Sequence, residues 1–166
     1  MSLKELHEKY EGKKILCTVV NVRVGEKNFG ISPGDGEVSL TLRAEHENDM
    51  KSFDDDTRKL AVKIAEAHNV NVSFETHDYV PETVSDSECV MKVKSAAEKL
   101  CLNVIAMHDA IRASEDFGWY MKQIPGAIFY VGNGEDYPAI HTGVYDFNDN
   151  ILSTAVDMFM MIYTAA

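Results

Sequence analysis

Six histidines hold the readiest proton-transfer and metal-binding chemistry in this chain: His7, His46, His68, His77, His108 and His141. A neutral imidazole suits zinc, yet a catalytic zinc takes three protein ligands and keeps one position open. No H-x-H or H-x-x-x-H pair occurs to supply two of them locally. The three cysteines, Cys17, Cys89 and Cys101, contain no C-x-x-C pair and read as reduced thiols of a cytosolic protein. Four histidines stand in solvated settings: His7 and His68 on polar helical faces, His46 in the acidic run AEHEND, and His77 at the end of a strand. His108 closes the apolar run CLNVIAM, and open α/β sheets place ligand groups at such strand ends. His141 stands in YPAIHTGVYDFND, a loop after a strand, and local sequence alone makes it structural. The acids of SEDF, residues 114–117, read as a helix start that Ser114 caps. No G-x-G-x-x-G fingerprint or phosphate loop is present.

These residues need elements to position them. Leu3, Leu6 and Tyr10 fall at helical spacing in SLKELHEKYE, which Gly12 ends. KILCTVVNVRVG is rich in β-branched residues and reads as a strand, and GISPGDG is turn chemistry. EVSLTLRAE alternates Val38, Leu40 and Leu42 inward against Ser39, Thr41 and Arg43 outward. DDDTRKLAVKIAEAHN predicts a helix burying Leu60, Ile64 and Ala67, and VNVSFETHDYV predicts a third strand ended by Pro81.

Beyond Pro81 the pattern alternates helix and strand. SDSECVMKVKSAAEKL predicts a helix with Ser85 and Glu88 as a capping box and Cys89, Val93, Ala96, Ala97 and Leu100 on one face. CLNVIAM and GAIFYVGNG predict strands. The last sixteen residues predict a helix with Ile151, Ala155, Phe159 and Ile162 on one side. The fold class is therefore α/β, in two lobes: residues 1–82 as β-β-α-β, and residues 83–166 as helices and strands in alternation. A three-stranded lobe needs a further strand or a partner to cover its edge.

Composition narrows the function. The hydrophobic fraction of 45% suits a globular core. The net charge of −11, from 27 acids and 16 bases, repels a phosphate backbone, so nucleic acid is not expected as a partner. No apolar run reaches the ~20 residues that span a bilayer; the longest candidate is interrupted by Asp157. No membrane partner and a cytoplasmic location are expected.

Four motifs in order, NFGISPGDGEVSLTLRA, YVPETVSD, SEDFGWYMKQIPGAIFYVGNG and HTGVYDFND, resemble the M20 family of zinc metallopeptidases and amidohydrolases, and within it the branch that hydrolyses hippurate and other N-acyl amino acids. The resemblance runs from about residue 13 to residue 165. It implies that His141, in the motif H-[ST]-x-x-x-[DE]-F, is a metal ligand, with the neighbouring acids orienting it. It implies that Arg43 holds a substrate carboxylate, a task that suits a guanidinium fork. It implies that Ser114 contacts substrate, where the family has Gly-Ser or Gly-Thr and this chain has Ala113 and Ser114. The family's asparagine before the turn proline is Gly30 here, with Asn28 nearby, and the asparagine after P-x-x-x is Ser85 or Asp86.

The resemblance covers the second half of such an enzyme, beginning inside its lid. Residues 1–82 then correspond to a partial lid or dimerisation domain, and residues 83–166 to the C-terminal part of the catalytic domain. The remaining metal ligands and the general-base glutamate belong to a segment not found among these 166 residues. The expected function is that of the C-terminal part of a zinc-dependent amidohydrolase of N-acyl amino acids or small peptides, inactive alone, with a homodimer through the lid lobe. The alternative is a non-catalytic binding or dimerisation module derived from that fold.

Overall fold

The computed structural model describes residues 1–164; the expected helical turn at residues 165 and 166 lies outside the described residues. The chain divides into two units, Met1–Glu82 with Ala110–Ala113, and Thr83–Asp109 with Ser114–Ala166.

The first unit opens on α1 (Leu3–Glu8), started by a complete capping box: the Ser2 hydroxyl accepts from the Glu5 amide, and the Glu5 carboxylate accepts from the Ser2 amide. Strands β1 (Leu16–Val24) and β2 (Gly36–Arg43) pair antiparallel. Near the hairpin loop Gly25 sits at φ 57°, and a Cβ there would lie 2.9 Å from the Cβ of Pro33, so glycine is required. Helix α2 (Glu47–Ala67) follows. It ends in a Schellman motif with Asn69 left-handed at φ 53° and the Val70 amide donating to the Ala65 carbonyl.

Leu6, Ile15, Phe53 and Leu60 form the core, with Cys17, Leu42 and Tyr10 packed against it. Phe53 and Leu6 are fully buried, each worth about 1.5–3 kcal/mol in apolar burial. Residues 70–82 return along α2, held by Arg58 on Thr76 at 2.7 Å, Tyr79 on Glu47 at 2.6 Å and the Glu82 carboxylate on the Glu47 amide at 2.9 Å.

The second unit contains α3 (Ser87–Lys99), α4 (Phe117–Met121), a 3-10 turn (Asp149–Ile151) and α5 (Leu152–Thr164). Helices α3 and α5 meet through Ala96, Ala97 and Met158, with Val93, Leu100, Phe129, Met161 and Ile162 around them. Alanines let the two backbones approach, and Met fills the irregular gap. Cys101 closes α3 as the left-handed residue of a second Schellman motif, with the Leu102 amide on the Ala97 carbonyl at 2.9 Å.

The mixed α/β character read from the sequence is present, with several corrections. Among the described residues the only ladder is β1–β2. The runs 70–80, 101–107 and 126–134 carry strand-forming residues but form no ladder among the described residues, the Asp86 amide on the Gly126 carbonyl at 2.8 Å being an isolated backbone bond; β-propensity alone does not make a strand. Helix α2 starts seven residues before the expected Asp54, because Phe53 belongs to the same buried stripe as Leu60. That phase buries Ala65 and exposes Ile64 and Ala67.

Asp86, not Ser85, caps α3, accepting from the Glu88 and Cys89 amides. Ser85 instead accepts from the Ile128 amide at 3.2 Å. Ser114 does not cap α4: the helix begins three residues later, at Phe117, and its N-cap Asp116 makes no side-chain capping bond. On α5 the buried residue is Met158, while Phe159 is exposed.

Candidate functional site

The β1–β2 register builds the site. Leu16 stands opposite Arg43, and Thr18 opposite Thr41. Residues two apart on a strand share a face, so these four project together. Cys17 and Leu42, paired between them, point the other way into the core. The run TVVNV would break this alternation, but the register shifts between Val19 and Asn21, leaving Val20 as a bulge. Past it Asn21 and Ser39 return to the polar face, and Val22 and Val38 to the apolar one. Beyond the core that apolar face is uncovered: Val19, Val22, Val24 and Val38 are exposed.

Leu16, Thr18, Thr41 and Arg43 line a hollow of about 320 Å³ together with Arg112. Its size falls at the low end of the range for small-molecule sites, about 300–1,000 Å³. Arg43 donates from Nη1 to the Arg112 carbonyl, which ties residues 110–113 to the strand end. No acid lines the hollow. Two arginines, two threonines and one leucine, with a lining more apolar than polar, suit an anion that carries an apolar part.

Arg43, singled out by the family resemblance, lines this hollow, while Thr18, Thr41 and Arg112 were not singled out. The two threonines follow once the strand register is known. Arg112 carries no local signal beyond being the one arginine or lysine in MHDAIRASEDF.

His141 and Ser114 belong to the second unit and are both exposed. His141 has a left-handed backbone, φ 65°, uncommon for a residue other than glycine. Its loop braces itself: Thr142 donates to the Ala139 carbonyl at 2.8 Å, and Tyr137 to the Asp146 carbonyl at 2.8 Å. Desolvation in that packing, then the Asp146 charge, pushes the Tyr137 phenol up. The Asp146 carboxylate accepts from the Phe147 amide at 2.9 Å, so this acid serves the backbone. No hydrogen bond joins His141 to Ser114 among the described residues.

His7, expected to be simply solvated, pairs Nε2 with the Ile15 carbonyl at 2.9 Å and edges Phe53. His46 is the N-cap residue of α2, 3.6 Å from Glu82.

Among the described residues no group of three or more His, Cys, Asp or Glu side chains could hold a metal ion. The residues present therefore do not fit a catalytic zinc by themselves. Gly30, Ser32 and Gly34 spell G-x-S-x-G, but they lie in the β1–β2 loop and not in the strand-to-helix turn that presents a nucleophilic serine. No described helix is long and apolar enough to cross a membrane.

Residues 3–164 match Peptidase family M20/M25/M40. The chain is similar to hippurate hydrolase of Campylobacter jejuni, 26% identical over 133 residues, which is 79% of this chain and 34% of that protein. It is similar to N-acetyldiaminopimelate deacetylase of Exiguobacterium sibiricum, 28% identical over 129 residues, 75% of this chain and 34% of that protein. N-acetylcysteine deacetylase of Bacillus subtilis is 22% identical over 145 residues, 87% of this chain and 37% of that protein. The chain thus spans about a third of the length of these relatives. No solved structure matches it.

Proposed function

The chain belongs to Peptidase family M20/M25/M40, and on that footing we propose that it is the part of an amidohydrolase that anchors the carboxylate of an N-acyl amino acid or small peptide. Hippurate, N-acetyldiaminopimelate and N-acetylcysteine, the compounds named for three relatives, share two features: an amide to be cut and a free carboxylate. The observation that carries the reading is the acid-free hollow with Arg43 in its wall. A planar guanidinium holds a carboxylate by paired N–H bonds and fixes where the amide lies.

Ser114 is assigned a hydrogen bond to substrate, and His141 one ligand of a zinc ion. A zinc ion held there by His141 and further ligands would supply Lewis-acid chemistry. The other ligands and the base come from outside residues 1–166, so the 166-residue chain does not turn over substrate. Residues 1–82 serve as a partial lid and dimerisation lobe, residues 83–166 as part of the catalytic domain, and the protein works in the cytoplasm.

The test joins binding to hydrolysis. The purified chain, with zinc added, is expected to leave N-acetylalanine and hippurate intact but to bind them, followed by the Nε–H resonance of Arg43. Arg43→Ala should weaken binding at least about tenfold, the loss of one charge-assisted pair. Turnover by the chain overturns its inactivity, and binding indifferent to Arg43 overturns the carboxylate anchor. His141→Gly, which suits the left-handed backbone, should lower zinc uptake when the remaining ligands are supplied; unchanged metal content removes His141 from the ligand set.

A second reading, a non-catalytic binding or dimerisation module, is favoured by the exposed valine face of the hairpin. A dimer in size-exclusion chromatography, with no Arg43-dependent binding of N-acyl amino acids, would select it.

A further inference from the structure

The four arginines of this acidic chain divide into two kinds. Arg23 lies 3.8 Å from Asp35 and 3.7 Å from Glu37, and Arg58 lies 2.9 Å from Asp54. Arg43 and Arg112 have no carboxylate partner among the described residues, although acids outnumber bases 27 to 16. These two unmatched arginines line the same hollow. Like charges repel at short range, and bringing two together with no acid between them costs free energy that an anion would return.

The contact between them is specific. One Arg43 N–H is spent on the Arg112 carbonyl; a guanidinium has five, which leaves four for a ligand. Because Arg43 reaches the backbone of Arg112 itself, the two cationic heads lie within one side chain's reach of each other. A small molecule with two carboxylates a few bonds apart suits such a pair of cations. Aspartate and glutamate have this spacing, between the α-carboxylate and the side-chain carboxylate.

We propose that Arg112 is a second anion-binding residue of this hollow and that the Arg43–Arg112 pair selects an N-acylated acidic amino acid over a neutral one. Arg43 takes the α-carboxylate, Arg112 takes the side-chain carboxylate, and the hydroxyls of Thr18 and Thr41 donate to whichever oxygens remain. The inference rests on the carboxylate-anchor reading above and adds the identity of the amino acid.

The test compares N-acetylglutamate with N-acetylglutamine, near-isosteres that differ by one negative charge. Binding to the 166-residue chain is measured by calorimetry at low salt. The chain is expected to bind N-acetylglutamate about tenfold or more tightly than N-acetylglutamine. Salt should compress that ratio, since the hollow is open to solvent.

Arg112→Gln should bring the ratio close to one by weakening N-acetylglutamate alone, and Arg112→Lys should restore part of it. Arg43→Gln should weaken both ligands. Equal weakening of both ligands by Arg112→Gln would overturn the proposal, because both arginines would then hold one carboxylate. So would a wild-type ratio near one. If N-acetylglutamine still binds through Arg43 in that case, the carboxylate anchor stands and only the acidic preference fails. If glutarate binds through both arginines while neither N-acetyl compound binds, the anion pair stands and the amidohydrolase reading fails.

Discussion

The two units solve the problem of a small core in different ways. The first closes on large side chains: Phe53 and Leu6 are fully buried, and Tyr10 and His7 edge onto Phe53. The second joins two helices through Ala96, Ala97 and Met158, while Val104, Ile105 and Met107 in its extended run stay exposed. Bulky side chains contributed by α1, α2 and the chain before β1 make a lobe whose stability is carried within its own core. Alanines bring helices close but bury little area apiece, so the second unit has less stability to lose at any one position.

That contrast can be broken by substitution, read separately in each unit from amide hydrogen exchange. Phe53→Ala is expected to have the largest effect, about 3–5 kcal/mol, with loss of protection along α2 and both strands. A change confined to one turn of α2 would mean that the first core is not cooperative. Met158→Ala should cost less, about 2 kcal/mol, and deprotect α3 and α5. If it costs as much as Phe53→Ala, the units do not differ as described.

The smallest change is expected from Asp86→Asn, which keeps the cap of α3 but removes its charge. The Cys89 amide, first among several contributions, holds the Asp86 carboxyl below the ordinary aspartate range. A depressed folded pKa stabilises above the unfolded value and is lost as pH falls from that value through the folded one. Protection of the first turn of α3 should therefore fall with acid in the native chain, and less so with asparagine. An identical acid response in the variant would assign the effect to another group.

Legibility in the sequence followed the range of the forces. Helix α1 was readable because its apolar spacing is local, although it ends at Glu8 and not at the expected Gly12, and its Ser2–Glu5 cap was not foreseen. The faces of β2 were readable from strict alternation, and Leu42 and Arg43 do point oppositely, but Val38, expected inward, is exposed because the core does not reach the outer hairpin. The start of α2 was hidden because Phe53 stands among acids that look like a helix entrance, and only its burial with Leu60 shows that the helix has already begun. The expected strands at 70–80 and 101–107 failed for the complementary reason: composition reports fitness for a ladder, but a ladder needs a neighbouring backbone. At the site, Arg43 came from a resemblance. Arg112 became visible only when a segment 69 residues away in sequence proved to lie against the same strand end.

The bulge at Val20 works as a phase shifter in the hairpin. Because strand side chains repeat with period two, one unpaired residue lets the two halves of β1 keep independent frames. Deleting Val20 would leave Val19 and Asn21 as neighbours in an unbroken ladder, so Asn21 and Arg23 would keep the polar side and Val22 and Val24 the valine side. Drawing Val20 into the pairing would instead turn Asn21 and Arg23 onto the valine side and Val22 and Val24 onto the polar side, while Arg43 and Thr41 kept their places. The extra valine is thus a spare part of the hairpin: the bulge sets it aside so that both faces survive its presence and would survive its loss.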